Sequence, residues 1–146
     1  MTAEFSKIDA DIRKAVASQG FMKLVGAAIE SLAPGEASIV LDRRDEVLQH
    51  NGFFHGGVIA FLIDNTSTIA AGTMFDRSRM TLTAEYKLNF LAPASGSRLI
   101  CRAKVLKPGR TLTVVEAKVH CVTDGQEKLV AAALATIASA EHPKAA

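Results

Sequence analysis

The sequence predicts an α+β protein in which an antiparallel sheet curls around one long, apolar helix. The helix is indicated by the mostly apolar run 58–74, which is too long for a strand and contains no proline. Strands are indicated by period-two alternation, most plainly at 80–90. Turns of hairpin length separate the strands that follow the helix, and such short connections require antiparallel neighbours.

The segment before the long helix is predicted to contain one further helix and a β-hairpin. Residues 3–18 form an amphipathic helix, because apolar residues recur at three- and four-residue intervals, and Gln19-Gly20 ends it. Residues 21–32 are strand-like, and the turn 33–36 leads to a second strand at 37–41.

Four strands are predicted after the long helix, at 80–90, 98–106, 111–122 and 128–138. Alternation along the first of them gives two opposite faces. One face carries Thr81, Thr83, Glu85, Lys87 and Asn89, and the other carries Leu82, Ala84, Tyr86, Leu88 and Phe90. The tail 141–146 is expected to be frayed.

Composition describes one ordinary globular domain spanning 1–146, with 49% hydrophobic and 22% charged residues. A net charge of +2 is too small to indicate a nucleic-acid partner. Cys101 and Cys121 lack metal-ligand spacing, and pairing about the turn at 107–110 sets Cys101 opposite roughly residue 116, so both are expected to be reduced core residues. We find no signal peptide or membrane-spanning run, so a cytoplasmic protein is expected.

The start and the middle of the long helix hold the candidate site. Gly56 and Gly57 allow close approach to the backbone, where a helix start offers unpaired N–H groups and a positive dipole end. Asp64 lies in the middle of the apolar run, and a buried carboxylate is costly unless it is paired or hydrogen-bonded. Thr68, one turn later, is a plausible donor to it.

These residues and their order resemble the PaaI-like hotdog-fold thioesterases. The resemblance rests on His55-Gly56-Gly57, Asp64 nine residues after the histidine, Leu91-Ala92-Pro93 and Pro108-Gly109-Arg110-Thr111, and it covers about 36–140. It implies a hotdog fold and hydrolysis of acyl-CoA thioesters. Coenzyme A would enter as part of the substrate, and no cofactor or metal is expected.

The resemblance also implies a role for individual residues. The backbone N–H of Gly57 would hold the thioester carbonyl, and Asp64 of the partner subunit would attack it or activate water. Thr83 would support the aspartate. An amide upstream of the histidine would help to place water or the thioester; Gln49 has the usual register and Asn51 is the alternative.

The spacing of the two central groups predicts a dimer independently of the resemblance. Gly57 and Asp64 are seven residues apart, which is roughly 10 Å along a helix. A base must come within about 3 Å of its proton, directly or through one water. One helix therefore cannot bring both groups to one carbonyl, so an antiparallel homodimer is required. A dimer of dimers is the expected assembly, but the spacing does not decide between a dimer and a tetramer.

Other residues have both a functional and a structural interpretation. Phe54 could line an acyl pocket or anchor the loop in the core, and His55 is expected to be structural, with its imidazole hydrogen-bonding the loop. Lys107 and Arg110 flank a turn and could meet the CoA phosphates, as could the stretch 37–44.

Two other functions compete with the thioesterase. A hotdog dehydratase or hydratase acting on acyl-CoA or acyl-carrier protein would rely on a catalytic histidine, for which only His55 lies near the helix. A non-catalytic acyl-CoA-binding module would bind CoA tightly without releasing thiol, and substitution of Asp64 would have no effect. Thiol release from acyl-CoA, and its dependence on Asp64, separates these functions.

Overall fold

The computed structural model describes residues 2–75 and 78–142. It contains helices α1 (Ala3–Ser18) and α2 (Gly20–Val25), strands β1 (Ala27–Ala33) and β2 (Glu36–Asp42), a short 3-10 helix (Asp45–Val47), helix α3 (Gly56–Gly72), and strands β3 (Arg79–Phe90), β4 (Arg98–Lys107), β5 (Leu112–Thr123) and β6 (Gln126–Glu141). The strands form one antiparallel sheet in the order β1-β2-β4-β5-β6-β3. The predicted tail begins inside β6, and its last part, 143–146, lies outside the described residues.

Helix α3 packs against the sheet and supplies the centre of the core. Leu62, Ile63 and Ala70 on this helix are fully buried, as are Ile39 and Leu99 on the strands beneath it. The α+β architecture with one long central helix is therefore confirmed. Within the described ranges, no helix is long and apolar enough to cross a membrane.

The strand predicted at 21–32 is wrong in its first part, where the chain forms α2 instead. Gly26 ends this helix in the left-handed conformation, with φ of 73°, a backbone shape that favours glycine. Met22 and Val25 are buried in the core. The remainder of the segment is β1, and its predicted hairpin with β2 is confirmed.

Strand β3 contains an irregularity that the alternation did not predict. Its register against β6 shifts between Thr83 and Glu85, as a β-bulge does. Before the shift, Thr83 faces α3 and bonds Thr68; after it, Leu88 packs against the core and Phe90 lies against the start of α3. The prediction of one unbroken face along this strand is therefore wrong, because the extra residue exchanges the two faces.

The two cysteines are free and buried, as expected. Burial raises the pKa of the Cys101 thiol to about 12, so it stays protonated in the core. The register estimate was wrong, because Cys101 pairs with Val119 rather than with Glu116. The difference comes from a longer turn, because Lys107 pairs with Val114 and the centre of the hairpin lies two residues beyond that of the predicted 107–110 turn; the register shift between Val105 and Lys107 takes back one residue.

Candidate active site

His55 caps the start of α3 with its own side chain. Its backbone is extended, with φ of −64° and ψ of 136°, and its Nδ1 accepts a hydrogen bond of 2.8 Å from the Gly57 N–H. An accepting Nδ1 carries no hydrogen, so this contact requires the tautomer with its proton on Nε2. This contact fits the structural role expected for His55. It also occupies the N–H to which the resemblance gave the thioester carbonyl.

The neighbouring Gly56 N–H is the open donor at this helix end. Among the residues that the structure describes, none accepts a hydrogen bond from it. A Cβ on Gly56 would lie 3.2 Å from Cζ of Phe90, whose ring is 57% exposed and stands beside the helix start. A free N–H at the positive end of a helix is suited to an oxyanion.

The loop before α3 folds back on itself as a narrow hairpin. Leu48 and Phe54 form an isolated β-bridge, the Gln49 N–H donates to Phe53 O at 2.8 Å, and the Gly52 N–H donates to Gln49 O at 2.9 Å. The Gln49 side chain is partly buried, and its amide oxygen accepts from the Asn51 N–H at 2.7 Å.

The two candidate amides, Gln49 and Asn51, differ in hydrogen bonding and in exposure. Because the oxygen of Gln49 is engaged, its NH₂ group is left to donate. Asn51 is exposed. Phe54 is 3% exposed and anchors the loop in the core, in line with its structural interpretation.

Asp64 lies in an open groove between α3 and β3. It is partly buried and lines this groove with Asn65, Thr68 and β3 residues 81–86. The hydroxyl of Thr68 donates to the backbone oxygen of Asp64 at 3.0 Å and contacts the Thr83 hydroxyl at 2.8 Å. The two threonines therefore fix this turn of the helix against β3, rather than donating to the carboxylate as expected for Thr68.

The other flank of α3 is covered by the junction of α1 and α2. Phe21 packs edge-on against Phe61, with ring centroids 4.7 Å apart. The Asn65 side chain donates to the Gln19 side-chain oxygen at 3.2 Å. The strip of α3 that carries Asp64 is therefore bounded by α2 on one side and β3 on the other.

Gly56 and Asp64 do not converge within one chain. Both lie on the same continuous helix, eight residues apart, which corresponds to about 12 Å along its axis. The separation argued from the sequence therefore persists in the folded chain. In the described ranges, no group of three His, Cys, Asp or Glu side chains is arranged to hold a metal.

The predicted phosphate contacts lie at the far end of the fold. The turn with Lys107 and Arg110 follows β4, where the Val105 N–H donates to Gly35 O and the Gly35 N–H donates to Thr73 beyond the last turn of α3. The start of α3 is tied instead to the loop that precedes β4. The structure does not bring these two cations to the Gly56 of their own chain.

A family model described as Thioesterase superfamily matches residues 51–128, more than half of the chain. The chain belongs to the thioesterase superfamily. A solved thioesterase family protein from Silicibacter pomeroyi is 35% identical, with a TM-score of 0.89, and the match covers 92% of this chain and 98% of that one. The prediction of a thioester hydrolase is confirmed at the level of the family.

One further relative and one structural neighbour add to this comparison. The 1,4-dihydroxy-2-naphthoyl-CoA hydrolase of Listeria monocytogenes is 29% identical over 119 residues, which is 82% of this chain and 94% of the relative. The E. coli PaaI protein from the phenylacetic acid degradation operon shares the fold, with a TM-score of 0.80 at 20% identity, over 91% of this chain and 93% of that one. The predicted PaaI-like hotdog fold is therefore confirmed.

Proposed function

We propose that this thioesterase hydrolyses acyl-CoA to the free acid and coenzyme A, at a site built from two copies of the chain. One observation carries the proposal: α3 presents an open N–H at Gly56 and a groove-lining carboxylate at Asp64, too far apart for one substrate. Two helices running antiparallel would place the N–H of one chain beside the carboxylate of the other. Each pair of chains would then hold two equivalent sites.

The chemistry follows from these two groups. The Gly56 N–H would donate to the thioester oxygen and stabilise the oxyanion as it forms, a role that moves from Gly57 because His55 already accepts the Gly57 N–H. Asp64 would take a proton from water as the water oxygen bonds to the carbonyl carbon. The intermediate then collapses, the carbon–sulfur bond breaks, and the CoA thiolate leaves and is protonated.

A covalent route uses the same residues in a different order. The Asp64 carboxylate would attack the carbonyl carbon and expel the thiolate, leaving a mixed anhydride that water then hydrolyses. One turnover in H₂¹⁸O detects the covalent route when water opens the anhydride at the aspartyl carbon, because the label then appears in Asp64. Label in the released acid alone means that water attacked the acyl carbon, either in the thioester or in the anhydride.

Supporting residues have defined places in this proposal. Thr83 and Thr68 would hold the Asp64 turn against β3 through their 2.8 Å contact. Gln49 would offer its free NH₂ group to the thioester or the water, with Asn51 as the exposed alternative. The resemblance is the reason for placing Gln49 near the substrate.

Exposed apolar side chains on the edge strand support the proposal that a second chain packs there. Strand β3 has no neighbour on its outer side within the described sheet. Leu82 and Phe90 on this strand are 54% and 57% exposed, and Tyr86 beside the groove is also exposed. A second copy packed here would bury them. Exposed leucines on the outer face of the sheet, such as Leu134, offer a surface for pairing two dimers.

The same pairing gives Lys107 and Arg110 a place. They lie at the C-terminal end of α3, and in an antiparallel pair this end of one chain extends past the helix start of the other. We propose that these cations of one chain meet the CoA phosphates bound at the other chain's Gly56. Their substitution would raise KM and leave kcat little changed.

Thiol release from a panel of acyl-CoAs tests the proposal. The wild type is expected to release CoA, and Asp64→Asn is expected to lose this activity by orders of magnitude. Asp124→Asn is the matched control, because it makes the same change in an exposed turn whose positive φ of 51° asparagine tolerates. Tight acyl-CoA binding without release would support the binding-module alternative, and hydration of enoyl-CoA with dependence on His55 would support the hydratase.

A further inference from the structure

Arg43 connects the two loops that meet at the start of α3. Its Nη2 donates to Gly52 O at 2.5 Å, and its Nη1 donates to Ser95 O at 3.1 Å and to Gly96 O at 3.3 Å. The guanidinium carbon also lies 5.9 Å from the centre of the buried Phe54 ring. One exposed side chain thus bridges three backbone carbonyls and an aromatic ring.

One of these loops, 94–97, is held firmly on the sheet. The Ser97 N–H donates to Val122 O at 2.8 Å, and the Gly96 N–H donates to Cys121 Sγ at 3.1 Å. A Cβ on Gly96 would lie 2.0 Å from Val122 O, so the chain fits β5 here only as glycine. This loop is a fixed support.

The other loop is the turn 49–52, which carries both candidate amides. Its own bonds are local, from the Gly52 N–H to Gln49 O and from the Asn51 N–H to the Gln49 side chain. Gly52 has a φ of 79°, which marks the tight bend. Within the described residues, the Arg43 side chain ties this bend to the fixed support, next to the backbone bond in which the Phe54 N–H donates to Ala94 O at 2.9 Å.

We propose that Arg43 is a positioning residue that sets the Gln49 amide relative to the Gly56 N–H. This inference rests on the proposed function, since the amide acts on the thioester there. A planar guanidinium can hold carbonyls of two loops at once through two different nitrogens, whereas an ammonium would have to reach both loops from a single nitrogen. A misplacement of about 1 Å in a catalytic group can cost roughly 100-fold in rate.

Arg43→Lys tests this role, because it keeps the charge and the stem and removes the fork. The expected result is a fall in kcat of roughly 10- to 100-fold with KM within about threefold of wild type. Arg98→Lys is the matched control: Arg98 neighbours Arg43 at this edge and pairs with the Asp42 carboxylate at 2.6 Å. Its kcat should equal that of the wild type.

A double-mutant cycle identifies the group through which Arg43 acts. If Arg43 positions Gln49, then Arg43→Lys combined with Gln49→Ala should be little slower than Gln49→Ala alone. Multiplying effects would overturn the assignment to Gln49. The same cycle with Asn51→Ala should give independent effects, and coupling there instead would move the role to Asn51 and contradict the proposal.

Amide hydrogen exchange tests the connection without using activity. The amides of Asn51 and Gly52 should exchange at least about tenfold faster in Arg43→Lys than in the wild type or Arg98→Lys, because the bend is released. Unchanged exchange would overturn the inference.

The kinetic outcomes separate this inference from the proposed function. A salt-dependent rise in KM with unchanged kcat would make Arg43 a phosphate contact instead. Asp64-dependent hydrolysis with wild-type kcat in Arg43→Lys would overturn the positioning role alone. A wild type that hydrolyses no acyl-CoA would overturn the proposed function, and the positioning role would fall with it.

Discussion

Gly56→Pro removes one N–H group and leaves the helix start otherwise compatible with the fold. Gly56 is the first residue of α3, where proline is favoured because its fixed φ suits the helix. The preceding His55 has ψ of 136°, within the range that a following proline allows. No acceptor among the described residues loses a bond, since the Gly56 N–H is open.

The expected cost falls on catalysis rather than on stability. Losing one oxyanion donor lowers kcat by about 100- to 1,000-fold, or about 2.7–4 kcal/mol. The added Cβ lies 3.2 Å from Phe90 Cζ, the far end of the ring, which must shift by a few tenths of an ångström to admit it. Gly56→Ala adds the same Cβ and keeps the N–H, so it is the matched control.

The assay is kcat at saturating acyl-CoA for both variants, with thermal unfolding followed by circular dichroism. Gly56→Pro should fall by at least about 100-fold below Gly56→Ala, with both melting close to the wild type. A rate for Gly56→Pro within a few-fold of Gly56→Ala would refute the assignment. The oxyanion donor would then be Gly57, and His55 would have to leave it for the substrate.

Two further predictions concern the groove and the pH dependence of stability. Thr83→Val removes the 2.8 Å contact with the Thr68 hydroxyl and should lower kcat. The control, Thr81→Val, removes a bond of 3.3 Å to the Thr68 backbone oxygen and should leave kcat near that of the wild type. Equal kcat values for the two variants would contradict a role for Thr83. Burial lowers the pKa of His120; the nearby Glu127 raises this pKa, and Arg102 and Lys118 lower it further. The unfolded chain therefore binds more protons than the folded chain, and the free energy of unfolding should fall as the pH drops from about 6.5 to 5. Urea unfolding should show a smaller fall in His120→Gln, and an unchanged fall would contradict this cause.

Periodicity was enough to predict the main elements of the fold. Long apolar runs and clean alternation gave α3 and the strands, because each buries one face in a single core. The prediction of a strand is wrong for segment 21–25, because a short apolar run fits either a strand or a buried helix. Its helical state depends on tertiary burial of Met22 and on the left-handed Gly26.

The candidate site was predicted less completely than the fold. Asp64 and the pair Gly56-Gly57 stand out, because a carboxylate inside an apolar helix and two glycines at its start are both unusual. The N–H that His55 occupies depends on a rotamer, which a sequence does not specify. The bulge in β3 leaves no mark on the alternation, so the place of Phe90 beside Gly56 could not be predicted.

The role of Arg43 was also beyond the sequence. In the sequence, Arg43 is one of several cations in the charged stretch that ends β2, and phosphate binding is the role expected of that stretch. Its hydrogen bonds reach Gly52, which is nine positions away in the sequence, and Ser95, which is more than fifty positions away. Such bridges follow from how loops meet in the folded chain, and no local pattern encodes them.

Complementation between two inactive chains tests the shared site most directly. Asp64→Asn and Gly56→Pro chains, produced together with different tags and purified as the mixed dimer, would combine one intact site with one doubly altered site. Because each site takes one group from each chain, the mixed dimer should recover about half of the wild-type activity. Activity no greater than the mean of the two mutant homodimers would contradict the two-chain site.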